Sequence, residues 1–341
     1  MINKKVQLYD VTLRDGSHAI NHQLSETQIK KYCRIADESG VGIIEVGHGI
    51  GLGASSLLIG KSLLSDTQML RIARENLNNS LLSVHAVPGY ATIDKDIKNA
   101  MDCGVDIIRI ATQCTEADTT EQHISYIREK GRIAHSGLMM AHMLDPEALV
   151  EEALKMESYG SECITILDSA GRFLPDDVTK RISLLKKALK IPVGFHAHNN
   201  LGMGIANSLA AVKAGAYSLD CSLSGFGGGS GNASIELLVA VLQIEKYETG
   251  VDLYKILDAA EKAEEMFNIL PKITSSSIIS GISGVVSVFS KPVARASKKY
   301  NVDARDIYIE LGKRGAIAGQ EDLIVEVAQL LAKKDELCKK H

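Results

Sequence analysis

The sequence predicts an α/β protein, a (β/α)8 TIM barrel followed by a C-terminal helical domain. Eight short runs rich in β-branched residues alternate with amphipathic stretches over the first 245 residues, which is the pattern of strands alternating with helices. Eight such units are typical of a closed barrel of parallel strands. The alternative is a doubly wound open sheet, which the absence of a G-x-G-x-x-G motif after the first strand disfavours. The predicted strands cover residues 7–12, 43–47, 81–86, 107–111, 134–140, 163–168, 193–197 and 218–222.

Residues that typically begin and end helices lie between these strands. Ser25 and Gln28 have the spacing of a capping box, and Pro146 and Pro175 suit the first turns of helices. Glycines suit the ends of four helices, at Gly40, Gly104, Gly160 and Gly215. The predicted helices cover residues 25–39, 65–78, 93–103, 119–129, 145–159, 175–189, 204–215 and 232–246.

The strand–helix repeat stops near residue 250. We therefore predict a catalytic barrel at residues 1–249 and a helical region at residues 250–341. We read the serine run at 275–277 as a break that marks the boundary between them. The helices predicted in the second region lie near residues 252–267, 286–300, 303–312 and 320–334.

Composition limits the classes of function. The net charge is −4 and there is no long basic block, so we expect no nucleic-acid partner. No apolar run approaches the roughly 20 residues that a membrane helix needs, and the first residues lead into a strand without a secretory signal. The six cysteines are scattered without a C-x-x-C pair, which indicates reduced thiols and a cytoplasmic protein.

Three side chains at predicted strand ends form a candidate metal site. His196 and His198 are two residues apart at the end of the seventh strand, so both imidazoles point to the same side. Asp15 follows the first strand and completes a set of two histidines and one carboxylate, which leaves open positions on a divalent metal. Such a set suits Mn, Fe, Co or Zn. The alternative is that Asp15 caps a loop and the histidines are buried polar fillers.

Two neighbours of Asp15 are candidates for catalysis. Arg14 carries a permanent charge and forked donors that suit an oxyanion, although a salt bridge to Glu45 is the alternative. His18 suits a general base near neutral pH, although it is equally well read as a supporting or exposed loop histidine.

Three further features at the strand ends are less specific. Ser169 is read either as a substrate contact or as part of a turn; it lacks a G-x-S-x-G context, so a nucleophile is disfavoured. The glycine run 225–231 fits either an anion-binding loop or a tight turn near the metal. His48, His85 and His142 each suit a structural role when taken singly.

Several of these stretches resemble one known family. Residues 11–20 read Val-Thr-Leu-Arg-Asp-Gly-Ser-His-Ala-Ile and are followed by His22-Gln23, which is similar to the signature of the 4-hydroxy-2-oxovalerate aldolases. These are pyruvate-handling metallolyases on TIM barrels, related to 3-hydroxy-3-methylglutaryl-CoA lyase. The other similar stretches are residues 109–112, 114–118, 138–143, 168–171, 196–202 and 319–322, so the resemblance covers nearly the whole chain.

The resemblance implies an activity and roles for these residues. It implies a lyase that cleaves or forms a 4-hydroxy-2-oxoacid, to or from pyruvate and an aldehyde, through a metal-stabilised enolate. The metal would be Mn2+, with Co2+, Zn2+ or Mg2+ as alternatives, on Asp15, His196 and His198. Arg14 would stabilise the enolate, His18 would handle the C4-hydroxyl proton, and Ser169 and His196 would also contact the substrate.

The resemblance also implies partners. An acylating aldehyde dehydrogenase would dock on the C-terminal helices, which would also cover the active site. We therefore expect an oligomer, either of identical subunits or with such a partner.

The chain departs from the family where the aldehyde would bind. The family carries a Gly-Tyr-Ala-Gly-Val-Tyr-Ser-type segment, whereas residues 281–287 here place Ile282 and Val286 at the two tyrosine positions. His85, Val87 and the loop 47–53 also differ. We therefore hypothesise that the metal and pyruvate half of the site is kept, while the other half accepts a different aldehyde.

Two alternatives stay open from the sequence. One is an acyl-CoA lyase or Claisen-type synthase of the same superfamily, which the lack of a clear basic patch near the barrel mouth disfavours. The other is a catalytically altered partner subunit.

Overall fold

A closed barrel of eight parallel strands forms the centre of the molecule, which confirms the predicted fold class. The computed structural model describes residues 4–268 and 271–338, and it describes side chains within residues 5–334 of these. Each strand pairs with the next along the chain, and the first pairs with the last. The strands are β1 (Gln7–Leu13), β2 (Ile43–Val46), β3 (Leu81–Ala86), β4 (Ile107–Gln113), β5 (Ile133–Met139), β6 (Cys163–Asp168), β7 (Val193–Ala197) and β8 (Ser218–Cys221).

A helix follows each barrel strand. The Ser25 hydroxyl accepts a hydrogen bond from the backbone N–H of Gln28, and the Gln28 side chain accepts one from the N–H of Ser25 at 2.8 Å, so the predicted capping box is present. The barrel helices are α1 (Glu26–Glu38), α2 (Asp66–Arg74), α3 (Lys98–Asp102), α4 (Glu121–Glu129), α5 (Pro146–Ser158), α6 (Pro175–Ala188), α7 (Gly204–Lys213) and α8 (Ile235–Ile244).

Six further helices follow the barrel in the described part of the chain. They are α9 (Leu253–Glu261), α10 (Ala263–Phe267), α11 (Ser275–Ser283), α12 (Ser290–Tyr300), α13 (Ala304–Lys313) and α14 (Asp322–Cys338). Apolar side chains of α9 and α10, such as Ile256 and Phe267, belong to the core between the barrel and its helices. A second apolar core, which includes Val285 and Phe289, forms among the later helices. The packing therefore joins α9 and α10 to the barrel, although the predicted boundary at residues 249 and 250 precedes them.

Helix α11 corrects the prediction of a break at residues 275–277. The Thr274 hydroxyl accepts a hydrogen bond from the backbone N–H of Ser277, and the Ser277 side chain accepts one from the N–H of Thr274. Serine is unfavourable in helix interiors but favoured at helix starts. Here the three serines form the first turn of α11. Within the described part of the chain, every helix is too short or too polar to cross a membrane.

Candidate active site and metal centre

The three predicted metal ligands converge at one end of the barrel. Asp15 begins a 3-10 turn directly after β1, and His196 and His198 lie at the end of β7. The Asp15 Oδ2 atom lies 3.9 Å from His196 Nε2 and 3.8 Å from His198 Nε2, and the two Nε2 atoms lie 3.3 Å apart. Ligands that share one divalent cation at bond lengths of about 2.0–2.2 Å have separations of this order.

The donor set fits a divalent cation. The Asp15 Oδ2 atom is buried and has no hydrogen-bond partner among the described residues. Burial acts to raise the pKa of Asp15, but His198 and Arg14 hold that pKa well below its usual range. Burial lowers the pKa of His198 to about 4. Near neutral pH the site therefore presents an ionised carboxylate and a neutral imidazole, the protonation states that a bound metal requires.

Arg14 forms the salt bridge to Glu45 that the sequence offers as the alternative to a catalytic role, and it also faces the candidate metal site. Its Nε donates to Glu45 Oε1 at 2.7 Å, and its Nη1 donates to the carbonyl of Gly49 at 3.1 Å. Its Nη2 is buried without a hydrogen-bond partner in the described structure. The guanidinium also lines the same cavity as Asp15. One face of Arg14 is thus fixed by the protein, and a donor remains for a substrate oxygen.

A buried charge network lies beneath the candidate metal site. Arg109 on β4 donates from Nε and Nη2 to both carboxylate oxygens of Glu45, at 2.9 and 2.8 Å, and from Nη1 to Asp220 Oδ2 at 2.7 Å. Asp220 Oδ2 also lies 2.9 Å from His196 Nδ1. A carboxylate only accepts, so Nδ1 carries the proton and Nε2 offers its lone pair to the metal position.

Sequence reasoning missed this network. The sequence predicts one link of it, the alternative salt bridge between Arg14 and Glu45, but no role for Arg109 or Asp220. The available signal was a charged residue between apolar neighbours in each of three strands, namely Glu45, Arg109 and Asp220.

His18 lies beside the metal position and packs against two more histidines. Its Nε2 is 4.0 Å from Asp15 Oδ1, and burial lowers its pKa. The His22 ring meets the His18 ring edge-on at 4.9 Å between centroids, and it stacks on the His48 ring at 3.6 Å. A Cβ at residue 49 would lie 2.4 Å from His18 Nε2, so Gly49 leaves the space that the His18 ring occupies.

The weaker candidates have mostly structural contacts. Ser169 lines the cavity, and its Oγ accepts a hydrogen bond from the backbone N–H of Met140 at 3.0 Å, which leaves its own proton to donate. His142 lies outside the cavity lining, and its Nε2 is 3.2 Å from the carbonyl of Gly284. His48 is fully buried, and its Nε2 is 3.1 Å from the carbonyl of Gly60. His85 is buried and does line the cavity.

The glycine run 225–231 forms a tight turn next to the metal position. The backbone N–H of Asn199 donates to the carbonyl of Gly231 at 2.9 Å, beside His198. Gly231 has a φ of +82°, and a Cβ there would lie 1.9 Å from the carbonyl oxygen of Gly225. The close approach of the two backbone segments therefore requires glycine at this position.

A single cavity of about 810 Å3 joins the metal position to the C-terminal helices. Val286 lines this cavity, whereas Ile282 lies outside the lining and is 55% exposed. Of the two positions that the resemblance pairs with tyrosines of the family, residue 286 lines the cavity and residue 282 does not. Lys291 and Arg295 of α12 also line the cavity, which weakens the sequence argument that the barrel mouth lacks basic residues.

The sequence matches two family models. Residues 5–262 match the family described as HMGL-like, and residues 271–333 match the DmpG-like communication domain. The first match covers the barrel and α9, and the second covers α11 to α13 and most of α14.

Individual relatives extend over the same length. A protein of Pectobacterium atrosepticum named 4-hydroxy-2-oxovalerate aldolase is 54% identical over 98% of this chain and 97% of its own length. One of the same name from Spirochaeta aurantia is 54% identical over 95% of both chains. The carboxyl transferase domain of Rhizobium etli pyruvate carboxylase superposes with a TM-score of 0.82 at 16% identity, over 98% of this chain and 61% of that chain, which shows a shared fold.

Proposed function

The chain belongs to the HMGL-like family and, within it, to the 4-hydroxy-2-oxovalerate aldolases, which are carbon–carbon lyases, and on this premise we propose how its residues act. The substrate is a 4-hydroxy-2-oxoacid that is cleaved to, or formed from, pyruvate and an aldehyde. The observation that carries the proposal is the convergence of Asp15, His196 and His198 on one point, with Arg14 and His18 beside it.

Asp15, His196 and His198 would hold the divalent metal. A cation bound there would act as a Lewis acid on the C2 carbonyl of the 2-oxoacid. We propose Mn2+ as the resident ion, because an oxygen ligand and two imidazoles without thiolate suit it. Co2+, Zn2+ and Mg2+ are the competing ions that the experiment below compares.

Arg14 and His18 would carry the remaining chemistry. The free Nη2 of Arg14 donates to the oxygen where negative charge develops as pyruvate becomes an enolate. The His18 imidazole, which burial favours in its neutral form, takes the C4-hydroxyl proton so that the C3–C4 bond can break and the aldehyde can leave. The Ser169 hydroxyl, which is still free to donate, holds the carboxylate of the pyruvyl half.

We propose that the aldehyde half of the substrate is larger and less polar than acetaldehyde. Val286 and Val288 line the cavity on the side of α12, and Ile59 lines it on the side of the barrel loops. Leu57 and Leu58 at its mouth are 89% and 85% exposed. A cavity of about 810 Å3 leaves room beyond pyruvate and a two-carbon aldehyde.

The C-terminal helices would dock an acylating aldehyde dehydrogenase. Support comes from the match to the communication domain and from large apolar side chains exposed on these helices. They are Ile278, Ile282, Ile309, Val325 and Leu330. Co-purification from the native cell tests the partner, and a chain recovered without any dehydrogenase contradicts it.

The test of function is a screen of aldehydes with pyruvate. Acetaldehyde, propanal and longer or branched apolar aldehydes are each incubated with enzyme and Mn2+, and pyruvate consumption is followed. We expect consumption with the apolar aldehydes and none with Asp15→Asn. Acetyl-CoA with a 2-oxoacid forms a separate arm, in which release of free thiol would favour the synthase instead. If acetaldehyde and propanal proved the best acceptors, the proposed aldehyde class would be wrong.

A further inference from the structure

Five polar side chains cross the barrel interior in one continuous chain of hydrogen bonds. Arg14 bonds Glu45, Glu45 bonds Arg109, Arg109 bonds Asp220, and Asp220 bonds His196. The two ends of this chain are the proposed enolate-stabilising arginine and one proposed metal ligand. The middle three residues, Glu45, Arg109 and Asp220, lie on β2, β4 and β8 and are essentially inaccessible to solvent.

The network has no clear purpose in stability alone. A buried ion network gains little over apolar residues of the same volume, because desolvation offsets the attraction between the charges. Apolar layers such as Val11, Ile43 and Ile107 already fill the neighbouring interior. The Tyr9 ring lies 4.1 Å from the Arg109 guanidinium carbon and closes the network from below. A specific orientation is the property that such a network supplies and an apolar layer does not.

Arg109 is placed to orient both ends together. Its Nε and Nη2 donate to the two oxygens of Glu45, and one of these oxygens, Oε1, also accepts from the Nε of Arg14. Its third donor fixes the same Asp220 oxygen that accepts from His196 Nδ1. Since Arg109 stays protonated at all accessible pH values, both carboxylates keep a cationic partner, and both keep their orientation.

We propose that Arg109 is a positioning residue that couples the two halves of the active site through Glu45 and Asp220. Through Asp220 it fixes the ring and the tautomer of His196, which raises the affinity of the site for its metal. Through Glu45 it fixes the plane of Arg14, which governs the rate at which the enolate forms. Arg109 itself reaches neither the substrate nor the metal position. The inference rests on the proposed function, because it assigns the ends of the network to metal binding and to enolate stabilisation.

The route from Arg109 through Asp220 and the route through Glu45 can be separated with two conservative variants. Asp220→Asn keeps the volume but removes the carboxylate that orients His196, and loss of such a partner lowers metal affinity by about 10–100-fold. Glu45→Gln releases Arg14 while leaving His196 held, so kcat falls and the dissociation constant for Mn2+ stays unchanged. Arg109→Lys keeps the charge but loses the fork, and it should show both effects together.

The experiment measures Mn2+ dissociation constants by calorimetry, alongside kcat and KM for the aldol reaction. Asp37→Asn is the matched control, because Asp37 is also a buried carboxylate but bonds Ser80 and Asn79 at the opposite end of the barrel. Loss of that carboxylate should lower thermal stability without changing Mn2+ affinity. The double variant Arg109→Lys with Asp220→Asn should have the same Mn2+ affinity as whichever single variant binds Mn2+ more weakly. Both substitutions act on Mn2+ through the same contact, that of Asp220 with His196.

Folded Arg109→Lys with the parent's Mn2+ affinity and kcat would overturn the proposal. If Arg109→Lys does not fold, the other two variants test the proposal. Parent-like Mn2+ affinity in Asp220→Asn, or parent-like kcat in Glu45→Gln, would also overturn it. These outcomes are distinct from failure of the proposed function, in which the unmodified enzyme itself binds Mn2+ but consumes no pyruvate with any aldehyde.

Discussion

The two halves of the active-site cavity are built in different ways. The half that we assign to metal and pyruvate consists of side chains at the ends of β1, β2 and β7 that charge pairs and backbone contacts fix in place. The aldehyde half consists of loops and of α12, with apolar residues such as Val286 and the exposed Leu57 and Leu58. Under the proposed roles, the barrel holds the reacting groups rigid, and the aldehyde is selected by elements that can change without disturbing them.

The largest effect is expected from the metal ligands. Asp15→Asn removes the negative charge of one proposed ligand and His198→Ala removes the imidazole of another, so Mn2+ binding should be lost. A metal supplies several kcal/mol of transition-state stabilisation, so kcat should fall by at least about 1000-fold. Calorimetry and pyruvate consumption measure both quantities, and full activity in either variant would contradict the assignment of the rigid half.

The next effect is expected from Arg14. Arg14→Lys keeps a positive charge but loses the forked donors that bridge Glu45 and the substrate oxygen. Removing one such donor costs about 100–1000-fold in kcat, whereas Mn2+ affinity should be unchanged. Steady-state kinetics with a saturating aldehyde measures the first and calorimetry the second; equal losses in both would show that Arg14 supports the metal site instead.

Gly49→Ala tests whether His18 depends on the space beside it. The added Cβ would lie 2.4 Å from His18 Nε2, so the imidazole must move. A displacement of about 1 Å in a reacting group can cost about 100-fold in rate. Mn2+ affinity serves as the internal control, since the substituted residue lies in the loop after β2, which carries none of the proposed ligands. Parent-like kcat in Gly49→Ala would contradict a catalytic role for His18.

A smaller effect is expected in the aldehyde half. Val286→Tyr narrows the cavity and should shift the ratio of kcat/KM values toward acetaldehyde over a bulky aldehyde by about tenfold, since one extra or missing group in a pocket is worth about 1–3 kcal/mol. Ile282→Tyr is the matched control, because Ile282 lies outside the cavity. The distinction between the halves fails if the control shifts the ratio and Val286→Tyr does not.

The pH dependence of stability should report the buried histidines on the barrel loops. Burial lowers the pKa of His48 to about 4, whereas an unfolded histidine titrates near about 6.5. The unfolded chain therefore binds more protons between these pH values, and the free energy of unfolding falls as pH drops from about 6.5 to about 4. His48→Gln should flatten this slope by at most about 1.4 kcal/mol per pH unit, as measured by urea unfolding at a series of pH values.

The barrel and the convergence of the three candidate ligands were accessible from the sequence. Strand–helix alternation fixes the fold class, and strand ends of a barrel share one rim, so Asp15, His196 and His198 could be joined without coordinates. The contact of Arg109 with both Glu45 and Asp220 could not be predicted from the sequence. It depends on which inward-facing residues meet at one level of the barrel. That level is set by strand register, and β1 has a register irregularity between Asp10 and Leu13.

The aldehyde half was less accessible for a related reason. Ile282 and Val286 were equivalent from their positions in the sequence, but α11 ends at Ser283, and the turn at Gly284 directs the two residues to different surroundings. Helix α11 itself was missed because its first turn consists of serines, whose capping contacts depend on Thr274.

The exchange of pyruvate methyl protons with deuterium tests the central claim most directly, because it needs the metal and pyruvate half alone. Pyruvate is incubated with enzyme and Mn2+ in heavy water without any aldehyde, and deuterium at C3 is followed by mass spectrometry. We expect enzyme-dependent exchange in the parent and in Val286→Tyr, and none above background in Asp15→Asn. A parent enzyme that binds Mn2+ but catalyses no exchange would contradict the account.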